Sequence, residues 1–301
     1  MIMMWTRYQR PWFNSVNTSG WASLAGASIV LSLLLAVIFC LLSFHALAAE
    51  LSSNPLIFAG SGANLPIIRV LTQAFGRSRP EIKIDVPASI GSTGGIRAAA
   101  DGAIALGLIS RPLRDKEKGG GLTVLSYART AVVIGAHPTV ADDGVTYEDL
   151  VQILKGTKSR WKDGKDVVVL LREPGDSSIE VLERQIPGFK EAFEDSILAK
   201  RWNVVFTDQE MNRLLASTPH AIGLSDTGAI TVERLPIKVL KVNGVAPTHE
   251  NVSNGKYRLV KTLAFVFLKD KLPAGVKAFL DFVRSSEGKK ILNVNGYLPG
   301  E

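Results

Sequence analysis

Three short turns in this chain are built from the residue types that bind oxyanions. Gly60-Ser61-Gly62-Ala63-Asn64-Leu65-Pro66 follows the apolar run Leu56–Ala59. Gly91-Ser92-Thr93-Gly94-Gly95 opens a helix, and the next apolar run ends in Ser110-Arg111. Arg172-Glu173-Pro174-Gly175-Asp176-Ser177-Ser178 follows Val167–Leu171 and leads into a third helix. A helix start leaves backbone N–H groups unpaired, and its dipole favours negative charge. Small residues let a ligand approach the backbone closely. Turns of this kind converging on one point, with arginine beside them, would cradle an anion. Each turn alone also fits ordinary capping: Asn64 is a cap residue ahead of Pro66, and Ser177-x-x-Glu180 matches a capping box.

The charged residues near these turns have competing readings. Arg172 leaves an apolar strand at a helix start, where it serves either a ligand or an ion pair within the fold. Arg111 suits a surface or hinge position as well as an anion contact. Asp176 is an ordinary N-cap, yet its carboxylate would repel an incoming anion unless it accepts a proton that the anion carries. His137, His220 and His249 are widely separated and lack metal-ligand spacing. Ser61, Ser92 and Ser177 have neither a GxSxG setting nor a His/Asp partner. No metal, cofactor or catalytic function is therefore expected.

Alternating strands and helices must position these turns. Ile67, Val70, Leu71, Ala74 and Phe75 recur at helical spacing after the first turn, and Ile82, Ile84 and Val86 alternate as a short strand. Ala131–Ala136 is a continuous apolar run, as in a strand buried on both faces. Thr146 with Asp149 caps a helix that Gly156 stops. Further helices are expected over 191–202 and 209–216, near Val276–Val283, and from Ser286. Strands are expected at 204–206, 220–224 and 239–242. This is an α/β pattern.

The chain has 301 residues, 46% of them hydrophobic, enough for two cores. Arg7 and Arg10 precede an apolar run from Leu24 to Phe44, and Ala46-Leu47-Ala48 offers a small-x-small cleavage site. Residues 1–48 therefore read as a secretory signal peptide or, because the run is long, an uncleaved anchor. Cys40 is the only cysteine, and Phe39 before it is unlike a lipoprotein signal. Arg7 and Arg10 are the only charges before Glu50, so removing them from the 35 basic residues leaves 33 against 28 acidic, a net +5. This mild, scattered excess suits steering of a small anion. The densest run, Arg111–Lys118, mixes both signs and reads as a solvated loop. No basic stripe alternates with aromatics, which argues against nucleic acid as a partner.

The order of GSGANLP, GSTGGI, LISRPL, ILKG before Trp161, REPGDSS and the tail from Asn243-Gly244 through SNGKY to Gly288 resembles the periplasmic phosphate-binding proteins of ABC importers. The resemblance covers nearly all of residues 54–299. It implies a two-lobed α/β fold of the Venus-flytrap, type II class, with two mixed, mainly parallel sheets and a two-stranded hinge. One lobe would comprise 49–136 plus 234–301 and the other 137–233, with crossings near 134–137 and 232–238. Carried over residue by residue, the ligand set is Asn64, Leu65, Ser92, Ser110, Arg172, Gly175, Asp176, Ser177 and Ser178. The family pattern usually has Thr-Phe at 64–65, Asp at 110 and Ser at 176, and this chain departs at each. The Ser110 departure puts selectivity between phosphate and sulfate in question, because that carboxylate accepts the proton of hydrogen phosphate. The resemblance further implies a monomer in the periplasm that delivers phosphate or a similar oxyanion to membrane permease subunits. An anion-sensing or regulatory binding module is the alternative.

Overall fold

The computed structural model describes residues 54–300, so the signal peptide or anchor expected over 1–48 lies outside the described residues. The first strand, β1 (Leu56–Gly60), leads through a 3-10 turn (Gly62–Asn64) into α1 (Leu65–Ser78). Pro66 sits in the first turn of α1, where its missing N–H costs nothing, and Ile67, Ile68, Leu71 and Phe75 form its buried face. Next come β2 (Ile84–Asp85), α2 (Gly91–Ala100), β3 (Leu106–Ile109) and the long β4 (Leu122–Ala136).

The middle of the chain contains β5 (Gly144–Val145), α3 (Tyr147–Lys155), β6 (Val168–Arg172), α4 (Ser177–Gln185), α5 (Phe189–Leu198), β7 (Asn203–Val205) and α6 (Asp208–Ser217). It continues through β8 (Ala221–Asp226), α7 (Thr227–Glu233), β9 (Lys238–Val242) and α8 (His249–Ser253). The expected cap of α3 is present: Thr146 Oγ1 accepts from Asp149 N at 3.0 Å, and the Asp149 carboxylate accepts from Thr146 N at 2.8 Å. Gly156 ends that helix in the left-handed region, with φ 76°. The chain closes with β10 (Val260–Leu268), α9 (Ala274–Arg284), α10 (Ser286–Val294) and β11 (Leu298–Pro299).

The strands run in the order β2-β1-β3-β10-β4-β8-β6-β7, with β9 and β11 also on β4 and β5 on β9. β1 pairs in parallel with β2 and β3, β6 with β7 and β8, and β5 with β9. Among the described strands, every antiparallel pair involves β4 or β10. The sheets are thus mixed as expected, with parallel pairing kept to the flanks and antiparallel pairing at the centre.

Two lobes follow from the two largest of four apolar clusters among the described residues. One gathers Phe58, Ile68, Leu71, Leu106, Leu108, Tyr127, Leu263, Phe265, Phe279 and Tyr297. The other gathers Val132, Ile134, Leu150, Trp161, Leu171, Ile179, Phe193, Leu240, Val252 and Leu259. β4 passes from the first core at Ala128 to the second at Ala131, and the chain returns between Leu259 and Leu263. The two crossings are side by side, Thr130 standing opposite Lys261 in the β4–β10 ladder. The crossings expected from the sequence lie instead near 134–137 and 232–238, and α7 (Thr227–Glu233) does lie against the first core, Gly228 facing Tyr297. β4 runs unbroken through residues 134–136, and β9 adds to it there and to β5, which draws residues 238–259 into the second lobe.

Candidate functional site

The three polar turns come together where the lobes meet. Ser61 follows β1 and is buried; Ser92 lies in the first turn of α2; Ser110 follows β3; Ser177 opens α4. Ser110 Oγ is 2.7 Å from Ser61 Oγ, 2.7 Å from Ser177 Oγ and 3.4 Å from Ser92 Oγ. Ser110 N donates to Ser92 Oγ at 3.2 Å. Four hydroxyls, three from the first lobe and one from the second, thus form a compact cluster. Each can donate or accept by rotating about its C–O bond. Close approach of α2 to β1 makes this possible: a methyl on Gly95 would lie 2.9 Å from Gly60 Cα.

Arg172, at the end of β6, is 4% exposed and surrounded by carboxylates. Its Nε and Nη2 donate to Glu173 at 3.0 and 3.1 Å. Nη2 is 3.2 Å from Asp176 Oδ2, and Nη1 is 3.0 Å from Asp208 Oδ1. Burial works against the guanidinium charge, but Asp208 and Asp176 outweigh it and push the pKa up. Burial likewise opposes charge on Asp208, yet Arg172 and Lys261 together hold its carboxyl below the usual range. For Asp176 burial prevails over Arg172, and its pKa is raised.

Gly175 turns the chain at φ 83°, and Asp176 then caps α4, its Oδ1 accepting from Ser178 N at 2.9 Å and Ile179 N at 3.3 Å. The capping box expected from Ser177 to Glu180 is not formed, because Asp176 takes the backbone donors and Glu180 pairs with Arg114 of the first lobe. Arg114 Nη2 also donates to Gly175 O at 3.2 Å. Arg111 is 4% exposed and held by both oxygens of Glu117, at 2.7 and 2.8 Å, and by Thr93 Oγ1 at 2.8 Å. The Arg111 hydrogen bonds keep Glu117 down at about 2. The 111–118 run therefore folds back on itself at Arg111 and Glu117 instead of being solvated throughout.

A cleft of about 270 Å³ is lined by Ser92, Arg172, Gly175, Asp176 and Ser177 from the expected set. Ser110 joins it through its contacts with Ser61 and Ser177. Asn64, Leu65 and Ser178 stand back from the lining. Asn64 is fully buried and does not cap α1; its Oδ1 accepts from the Tyr127 hydroxyl at 2.7 Å. Leu65 packs in the first core, and Ser178 Oγ accepts from Lys261 at 3.1 Å. The cleft also takes in Ser61, Thr93, Arg114, Glu173 and Asp208, none of which belongs to the expected ligand set. Ser61 was visible in the first turn, whereas nothing local marks Asp208. Three arginines face three carboxylates in this lining. With its charges balanced, what this lining offers an anion is oriented hydroxyls and helix N–H groups more than net charge.

The PBP superfamily domain model matches residues 47–287, which span both lobes and every turn of the site. The chain belongs to the PBP superfamily. Among its superfamily relatives, the phosphate-binding protein PstS of Bacillus subtilis is 27% identical over 259 residues, covering 83% of this chain and 82% of the relative. PstS of Borreliella burgdorferi is 26% identical over 247 residues, covering 79% and 88%. A crystal structure of a putative phosphate ABC transporter substrate-binding protein with bound phosphate, from Clostridium perfringens, superposes with a TM-score of 0.73 at 24% identity. It covers 82% of this chain and all of that one. This PBP-superfamily chain thus shares its two-lobed fold with that protein.

Proposed function

We propose that this protein captures phosphate between its lobes, outside the cytoplasm, and delivers it as a monomer to the membrane subunits of an ABC importer. The observation that carries this reading is the inter-lobe cluster Ser61–Ser92–Ser110–Ser177 beside Arg172 and the α4 N-terminus. Hydroxyls that rotate to donate, first-turn N–H groups of α2 and a guanidinium together match the acceptor-rich surface of an oxyanion. β4 and β10 at Thr130 and Lys261 form the hinge in this reading, since they are the paired segments that join the cores. The relatives named for phosphate binding support the choice of ligand.

Isothermal titration of the full chain with phosphate and sulfate tests the proposal. Arg172→Ala is expected to lose about 1.5–3 kcal/mol of phosphate binding. Because that change also leaves carboxylates without a counter-ion, Ser177→Ala serves as the milder companion and should weaken binding while the protein stays folded. A folded wild-type protein that binds neither anion would overturn the reading.

A further inference from the structure

Lys261 is a cation near the start of β10, 1% exposed, and no step of anion capture described above uses its charge. It stands on β10 where the chain crosses between lobes, opposite Thr130 on β4. Its Nζ donates to Ser178 Oγ at 3.1 Å and lies 3.7 Å from Asp226 Oδ2. Ser178 is in the first turn of α4, directly after the cleft-lining Asp176 and Ser177. Asp226 is also held by the other crossing strand: its Oδ1 accepts from Thr130 Oγ1 at 3.3 Å and from Ala229 N at 2.8 Å, capping α7. One buried ammonium thus links the crossing strands to the helix that presents the second lobe's half of the site.

Electrostatics gives this link a second role. Burial raises Asp226, and Lys261 is the main influence opposing it. The same charge acts on Asp176 and Asp208, which share Arg172 in the cleft. Since the arginines of the lining are matched by carboxylates, Lys261 is the buried positive charge behind it that offsets this acidic group. An isolated buried carboxylate is strongly unfavourable, and an anion brought beside one is repelled.

We infer that Lys261 is a positioning residue for the anion site, fixing the α4 N-terminus through Ser178 and supplying the buried charge that lets an anion enter beside acidic neighbours. The inference rests on the phosphate-capture reading. Titration calorimetry with inorganic phosphate on the full chain tests it in Lys261→Met, Lys261→Arg and the double variant Lys261→Met/Asp226→Asn. Lys261→Met should bind about tenfold more weakly although it touches no ligand, and Lys261→Arg, which keeps the charge, should recover most of the affinity. If Lys261→Met does not fold, the double variant decides: it removes the orphaned carboxylate, should fold, and should still bind several-fold more weakly than wild type. A folded Lys261→Met or double variant with wild-type affinity overturns the inference while leaving phosphate capture intact. Failure of the wild type itself to bind phosphate removes both.

Discussion

Asp176→Asn is the most discriminating single substitution in the site. The Asp176 carboxylate divides its two oxygens: Oδ1 caps α4 through Ser178 N and Ile179 N, and Oδ2 pairs with Arg172 at 3.2 Å. Asn keeps the capping oxygen and is as good an N-cap, so the helix should be retained. The charge is what disappears. An anion seated against Arg172 would lie about 6 Å from the Asp176 carboxylate, a repulsion of about 3 kcal/mol per unit charge at an effective dielectric of about 20. About 1.5 kcal/mol of this, the low end for a hydrogen bond to a charged group, is returned because Arg172 loses one of its three carboxylate anchors. The net expectation is phosphate binding about tenfold tighter, with sulfate tightened similarly. Stability should change little, because burial already raises the Asp176 pKa and its ionised form gains little from folding. Calorimetry with both anions and a thermal melt test this directly. Weaker phosphate binding with unchanged or improved sulfate binding would refute the reasoning and make Asp176 the acceptor of the ligand's proton.

Two further expectations concern stability. The folded pKa of Glu117, about 2, lies below its ordinary 4.5, so its contribution is complete above 4.5 and is lost as pH falls towards 2. Glu117→Gln should remove that acid-sensitive component and, by leaving Arg111 buried with one partner fewer, cost about 3 kcal/mol near neutral pH in denaturant titration. Gly228, in α7, faces the ring of the fully buried Tyr297, which a methyl group would overlap. Gly228→Ala should destabilise by about 1–3 kcal/mol through overpacking, and an unchanged melting temperature would show that Tyr297 can move aside.

Much of the fold was legible because local rules and tertiary demands agree. The α3 cap, the apolar faces of α1 and α9, and the buried run 131–136 all formed where the pattern placed them. The extent of β4 was not legible, since Leu122–Ala128 alternates weakly in burial and gains its partners from β10 and β11, far along the chain. For the same reason the placement of β9 was not legible, since it depends on pairing with β4 and β5. In the site, Arg172, Ser92, Asp176 and Ser177 announced themselves by sitting in polar turns after apolar strands. Asp208, Lys261 and Asp226 did not, because a charged residue at a helix start or within a strand carries no sequence mark of the distant partner that justifies its burial. Asn64 shows the opposite error: a good cap residue was drawn inward by the Tyr127 hydroxyl.

The path of the backbone also bears on how the protein is made. The first lobe's core joins Phe58, Leu71 and Leu108 to Leu263, Phe265, Phe279 and Tyr297, so β1 and β3 find their neighbours among residues far along the chain. Contacts of such sequence separation carry a high loop-closure cost and slow folding. The second lobe draws its core from a contiguous stretch, 131–259 with Leu298, and can consolidate while the rest of the chain is still being added. Until β10 arrives, β3 and the first half of β4 expose open edges, which makes the nascent first lobe the part of this protein most in need of protection from aggregation.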